Sequence, residues 1–470
     1  LSANADTQGL TKLQAGTVLA VGLVFSLAVA WQWKLLLNAL LRWEWRDLGL
    51  LNTAVLLFAP FACILWVLWK VEKQAPWVSP WYLLGLLSLS NFLLQILGML
   101  ADPRGIRLVQ DIVVSRGATS YFTDAVGIRG VSEWLRHFHQ ANLAMHSSVH
   151  PPGPILFYYF FVGLLGPSTG ALIGGCMVGL IGSAGALVIY VFAGLWTPDR
   201  RTRITASAFY ALIPALTVFL PEFDQTYPIL SMLLILFWVK ALNVSRKSQR
   251  YALYAGAVLF TATFFAYSVL ATGTFLALYG LYWLWSEKAT RGAFVSLLRT
   301  SGVVLLTCYS LYVALWYATD YDPLATFLHI MKNYAYFVAG MNRHIDGRML
   351  SPGEEYAAHA VLAPYEFFLG AGMMALPILL LHLYRLQQQS AAKGREMALT
   401  LIGLGTILTL DLTGWMRWET ARVWLFLQPL LVVPVAIELA RVTWLWRLAI
   451  FAVQWWIVVC LKAKMSFVEP

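Results

Sequence analysis

The sequence is short of charge. Of its 470 residues only 12% are Asp, Glu, Lys or Arg, against 60% hydrophobic and 14% aromatic. A soluble domain carries about 25% charged residues, so half that share cannot cover a water-facing surface. A soluble globular fold is excluded. Cysteine is scarce as well: Cys63, Cys176, Cys308 and Cys460 all fall in apolar runs and read as small buried hydrophobes, not a disulfide framework. There is no internal repeat, low-complexity tract or soluble domain. Leu1 to Leu10 is polar and no small-residue cleavage site follows the first apolar run, so no secretory leader is expected. The net charge of +10 would suit nucleic acid in a soluble chain. In a membrane chain it reads as basic loops facing an anionic leaflet, and no nucleic-acid partner is expected.

What is present instead is apolar length. Gly16 to Trp33, Leu48 to Trp69, Trp81 to Ala101 and Ala171 to Trp196 each reach the roughly 20 residues that cross a bilayer as helix. The expected fold is therefore an all-α polytopic membrane protein, with about 13 transmembrane helices and membrane lipid as its surroundings. Lys and Arg in short loops set the orientation. "TPDRRTR" (Thr197 to Arg203), "NVSRKSQR" (Asn243 to Arg250), "SEKATR" (Ser286 to Arg291), "KGRE" (Lys393 to Glu396) and "KVEKQ" (Lys70 to Gln74) are placed in the cytoplasm. The chain then divides into N-terminal spans (1–101), a core with the first outer loop (102–230), further spans (231–317), a second outer loop (318–363) and C-terminal spans (364–470).

"PILFYYFFVGLLG" (Pro154 to Gly166) is too short to cross and would put "TPDRRTR" outside if it did. It is expected to lie in the outer interface, with its Phe and Tyr rings at headgroup depth. The preceding "MHSSVHPP" then belongs to an outer loop. With this topology seven of the eight histidines (His137, His139, His146, His150, His329, His344 and His359) fall in the two long outer loops. Asp102, Asp111, Asp124, Glu133, Glu222, Asp224, Asp320, Asp322, Asp346, Glu354, Glu355 and Glu366 lie on the same side. Ionisable residues deep within helices are nearly absent, which speaks against a transporter or flippase. A rim of titratable groups suits an enzyme acting on a lipid-linked substrate.

Three motifs carry a resemblance to a known family: "TSYFTDAVG" (Thr119 to Gly127), "HPPGP" (His150 to Pro154) and "FLPEFDQTYPIL" (Phe219 to Leu230). In order and spacing they resemble the GT-C glycosyltransferases. This polyprenol-dependent class includes protein O-mannosyltransferases, lipid A aminoarabinose transferases and oligosaccharyltransferase catalytic subunits. The resemblance covers roughly Ala101 to Leu230; a late "RWETARVWLFLQP" (Arg417 to Pro429) matches only in kind, and two extra helices before the large loop depart from the commonest arrangement. It implies transfer of a sugar, with inversion, from a polyprenyl-phosphate carrier to an unidentified acceptor. The implied place is a bacterial plasma (inner) membrane, with the site on the non-cytoplasmic face. Asp124 would be the base, with Asp111 as substitute, and Asp224 would shape the site or hold a metal. A divalent metal stays open.

The residues themselves offer roles and plainer alternatives. An Asp after Thr can equally cap a helix, and Asp224 can be a solvated carboxylate at a helix end. Pro151 and Pro152 suit a first helical turn and hold His150 at the rim, where its imidazole can meet a phosphate oxygen or simply water; His146 lies one turn away. Arg422 and Arg417 offer guanidinium forks for phosphate, or snorkel to headgroups. Asp411 is expected to orient one of them. "MNRHIDGRMLSPGEEYAAH" (Met341 to His359) suits a cover or a passive loop. A non-catalytic subunit of the same fold remains the rival reading.

Overall fold

The computed structural model describes residues 12–33, 43–73, 78–243, 248–340, 344–345, 348–388, 394–417 and 419–468. Gln74, Val244 to Lys247, Met341 to Arg343, Asp346, Gly347, Lys393 and Trp418, all in stretches singled out above, lie outside the described residues, as does the His344 side chain. The chain is a multipass helical bundle. Among the described residues nine helices are long and apolar enough to cross a membrane, or ten if Pro352–Ala371 and Ala375–Gln388, bent by 99° at a short break, form one span. The expected figure of about 13 is not reached by this measure. Proline is one reason: Pro214 separates the 12-residue helix Arg200–Ala211 from the five residues of Pro214–Val218. Irregular turns likewise separate Thr420–Val423 from the 14-residue Gln428–Arg441. Ser248–Phe265 opens on Ser248, Gln249 and Arg250, which dilute its apolar length.

Strand structure among the described residues is limited to two antiparallel ladders of two residues each. Glu44–Trp45 pairs with Met465–Ser466, and His344–Ile345 pairs with Arg348–Met349. The first ties an early loop to the end of the last long helix, Trp444–Lys464.

Pro167–Ala193 is the hub. Its glycines let neighbours approach to backbone distance, as small residues do between membrane helices. A Cβ at Gly175 would meet Val109, Val113 and Pro221; one at Gly179 would meet Leu220; one at Gly182 would sit 2.9 Å from the Gln225 carbonyl. The acidic stretch 220–225 is thus pressed against this helix and cannot drift. Asn91, Gln95 and Ser183 close a buried polar triangle beside it, with bonds of 2.8 to 2.9 Å.

The short helix expected after "HPPGP" is present as Gly153–Leu165, 13 residues long. The chain reverses at Gly166, whose φ of 76° favours glycine. The two helices pack so closely that a Cβ at Gly170 would lie 2.8 Å from the Phe161 carbonyl oxygen.

Candidate active site

Three hydrogen bonds join the first-loop motif to the segment before "HPPGP". Ser147 N–H donates to Ser120 Oγ (3.0 Å), Ala144 N–H donates to Asp124 Oδ2 (3.2 Å), and His146 Nε2 donates to the Gly117 carbonyl (3.0 Å). Ser120 takes a left-handed φ of 56° to open the short helix Tyr121–Val126. Tyr121 therefore faces inward, edge-on to His150 (5.4 Å) and to Phe223 (5.8 Å). From the other side, Glu419 adopts φ 50° ahead of Thr420–Val423. Buried Glu366 holds that turn by accepting from Thr420 N–H (2.6 Å) and Thr420 Oγ1 (2.9 Å).

These segments enclose a cavity of about 140 Å³, whose wall includes Tyr121, His146, His150, Glu222, Asp224, Tyr334, Arg417, Glu419 and Arg422. Arg422 is its centre. It reaches Glu222 at 3.0 Å, Asp224 at 3.4 Å and Glu419 at 2.6 Å. Burial opposes its charge, but Glu419, Glu222 and Asp224 more than offset this and raise its pKa, so it stays ionised. Glu222 has a different fate. Burial pushes its carboxyl up to about 8 although Arg422 pulls the other way, and its Oε1 is buried without a hydrogen-bond partner. His146 is held down to about 4 by burial, with Arg422 and His150 adding to the effect. Burial likewise lowers His150. Both imidazoles are therefore neutral at pH 7. His150 donates from Nδ1 to the His146 carbonyl at 2.8 Å, which puts its lone pair on Nε2. In that tautomer it accepts a proton and does not donate to phosphate.

Five of the seven residues anticipated from sequence meet here: Asp224, His146, His150, Arg417 and Arg422. Asp124 and Asp111 do not line the cavity. Asp124 lies inside Tyr121–Val126, and its carboxylate is spent on Ala144; Asp111 sits half-buried on Arg107–Val114. Asp411 faces buried His359 at 4.0 Å and forms no ion pair with Arg417 or Arg422 among the described residues. Arg417 donates to the Gly414 carbonyl (2.8 Å), with its guanidinium 5.8 Å from the Tyr356 ring. Sequence reasoning missed Tyr121, Tyr334 and the part played by Glu419. Tyr121 stands three residues from Asp124 in the same motif, and only the tertiary contacts separate them: the ring meets His150, the carboxylate meets Ala144. The donors do not fit a divalent metal as they stand. Arg422 already fills the space between the three carboxylates, and among the described residues no group of three His, Cys, Asp or Glu is placed to hold an ion.

The fold and this rim site define a polytopic helical membrane protein, and its fold is similar to solved membrane enzymes. The oligosaccharyltransferase of Archaeoglobus fulgidus, solved in complex with zinc and sulfate, matches 82% of this chain and 54% of its own, with 13% identity and a TM-score of 0.50. ArnT from Cupriavidus metallidurans in the apo state matches 66% of this chain and 54% of its own, with 14% identity and a TM-score of 0.42. The chain thus spans about half the length of each. No protein-family profile and no curated protein matches the sequence.

Proposed function

We propose that this chain is a membrane glycosyltransferase. It moves a sugar from a polyprenyl-phosphate carrier to an acceptor on the non-cytoplasmic face. The observation that carries this reading is the cavity itself, where carboxylates, neutral imidazoles and two guanidiniums share one wall. Asp224, kept beside Arg422, takes the proton from the acceptor as its oxygen or nitrogen attacks the anomeric carbon. The bond from that carbon to the phosphate oxygen breaks with inversion, and the polyprenyl phosphate leaves. Arg417 receives its charge, since this guanidinium has no carboxylate partner among the described residues, whereas Arg422 is already engaged by three. Asp124 becomes a positioning residue that fixes the loop carrying His146. The Gly153–Leu165 helix lies in the outer interface beside the carrier's tail.

The test is transfer of radiolabelled sugar from a panel of short-chain polyprenyl-phosphate sugars by the purified full chain in detergent. The Asp224→Asn variant loses roughly 10²- to 10⁴-fold in rate, the range for removal of a general base. Asp124→Asn keeps most activity, because its amide oxygen still accepts from Ala144. Collapse in Asp124→Asn with survival of Asp224→Asn would return the base to Asp124. No transfer from any donor by folded protein would favour a non-catalytic subunit.

A further inference from the structure

We propose that the opposite end of the bundle binds one anionic phospholipid from the cytoplasmic leaflet. The Phe223–Asn243 segment separates the two places: Asp224 stands at one end and Asn243 at the other, about 30 Å away along the helix. Around Asn243 the ends of four helices enclose a cavity of about 690 Å³. Its wall carries Arg250 and Arg299, with Ser248, Ser296 and Thr300 as further polar groups and Glu287 as the acid. Neither arginine forms an ion pair among the described residues. The first turns of Ser248–Phe265 and Arg291–Thr319 both belong to this wall, so two positive helix ends add to the two guanidiniums.

The cavity does not stand alone. The same helices bound a second space of about 530 Å³ whose lining is almost wholly apolar, including Leu276, Leu281, Val304 and Leu305. It is open at Gly273, where a Cβ would meet nothing within 4 Å. Both spaces are walled by the Arg291–Thr319 helix over the same turns, with Thr300 in the polar lining and Ser301 in the apolar one. Polar head and apolar tail are thus offered side by side.

Depth agrees with this arrangement. Arg291–Thr319 has 29 residues, more than a bilayer core needs. The rise from Arg299 to Thr319 is about 30 Å, the thickness of the hydrocarbon core, so Arg299 stands at headgroup level, with the apolar groove running from Leu297 past it to Leu305. From Gly292 to Leu305 the two spaces together cover about 20 Å, close to one leaflet with its headgroups. A phosphodiester between Arg250 and Arg299 meets two-pronged donors. An uncharged glycerol headgroup leaves that attraction intact, whereas a choline headgroup brings a cation against two others. The site therefore selects phosphatidylglycerol over phosphatidylcholine. This inference uses the membrane fold alone and does not depend on the proposed reaction.

The experiment is native mass spectrometry of the purified full chain equilibrated with phosphatidylglycerol or phosphatidylcholine. Wild type holds one phosphatidylglycerol more tightly than phosphatidylcholine. The double variant Arg250→Gln/Arg299→Gln weakens it by about fivefold per arginine, and Arg250→Lys/Arg299→Lys restores much of the binding, which separates lost charge from lost folding. Gly273→Leu, which fills the groove with both arginines intact, also releases the lipid, while inorganic phosphate does not displace it. Equal retention of the two lipids, undiminished binding in the Gln variant, undiminished binding in Gly273→Leu, or displacement by phosphate would each overturn the proposal.

Discussion

Two buried ion clusters sit in this bundle, and they are built with opposite balances. In the candidate site one cation, Arg422, is surrounded by Glu222, Asp224 and Glu419. Where the Ala375–Gln388 and Gln428–Arg441 helices meet, the acid Glu438 is surrounded by His382 (3.1 Å), Arg385 (2.7 Å) and Arg441 (2.8 Å), with Glu396 further out at 3.8 Å from Arg441. The difference lies in what each cluster can do with a proton. Surplus carboxylates discharge by binding protons, as Glu222 does with a pKa of about 8. Surplus guanidiniums cannot shed theirs, because Arg stays charged at every accessible pH. An acid-rich cluster is therefore titratable and suited to proton chemistry, while a base-rich one is a fixed lock. The acid-rich cluster borders a cavity with imidazoles in its wall.

The largest effect is expected at the lock. Glu438→Ala leaves Arg385 without its buried counter-charge and Arg441 with only the longer contact to Glu396, and should cost roughly 3–5 kcal/mol of stability. Thermal unfolding in detergent would show this, and a melting temperature near wild type would mean the two clusters do not differ as argued. Arg422→Gln should cost less, roughly 2 kcal/mol, because its three acids relieve their repulsion by taking up protons. Measured side by side, an Arg422→Gln loss equal to the Glu438→Ala loss would erase the distinction. The finest test is pH. Glu222 holds its proton in the folded chain up to about 8, against an ordinary value of 4.5. Between those values the unfolded chain ionises and the folded chain does not, so stability falls as pH rises through the window. The slope from this group is at most about 1.4 kcal/mol per pH unit. Glu222→Gln should remove it, seen as a flatter dependence of unfolding temperature between pH 6 and 7; an unchanged slope would show that Glu222 is ionised in the fold.

The candidate site was partly legible in the chain. Motifs containing Asp224, His146, His150, Arg417 and Arg422 stand out because chemistry-bearing side chains are rare in so apolar a sequence. Asp124 misled for a definite reason. Positions three apart share a helix face, and the motif shows composition but not which of the two side chains meets the cavity and which meets a neighbouring loop. Tyr121 took the inward position and Asp124 the loop-holding one. Glu366 read as one more rim acid, yet it secures the turn before Thr420 from a helix more than fifty residues away.

Sequence alone determined the medium and the helical class. These follow from composition and from the length of apolar runs, which act locally through the cost of exposing backbone to lipid. Tertiary structure decided which acids meet Arg422, which histidine tautomer exists, and where proline cuts an apolar run into pieces too short to span. Those outcomes depend on distances between segments far apart in the chain, set here by how closely 220–225 packs on the glycines of Pro167–Ala193. No local pattern encodes a distance of that kind.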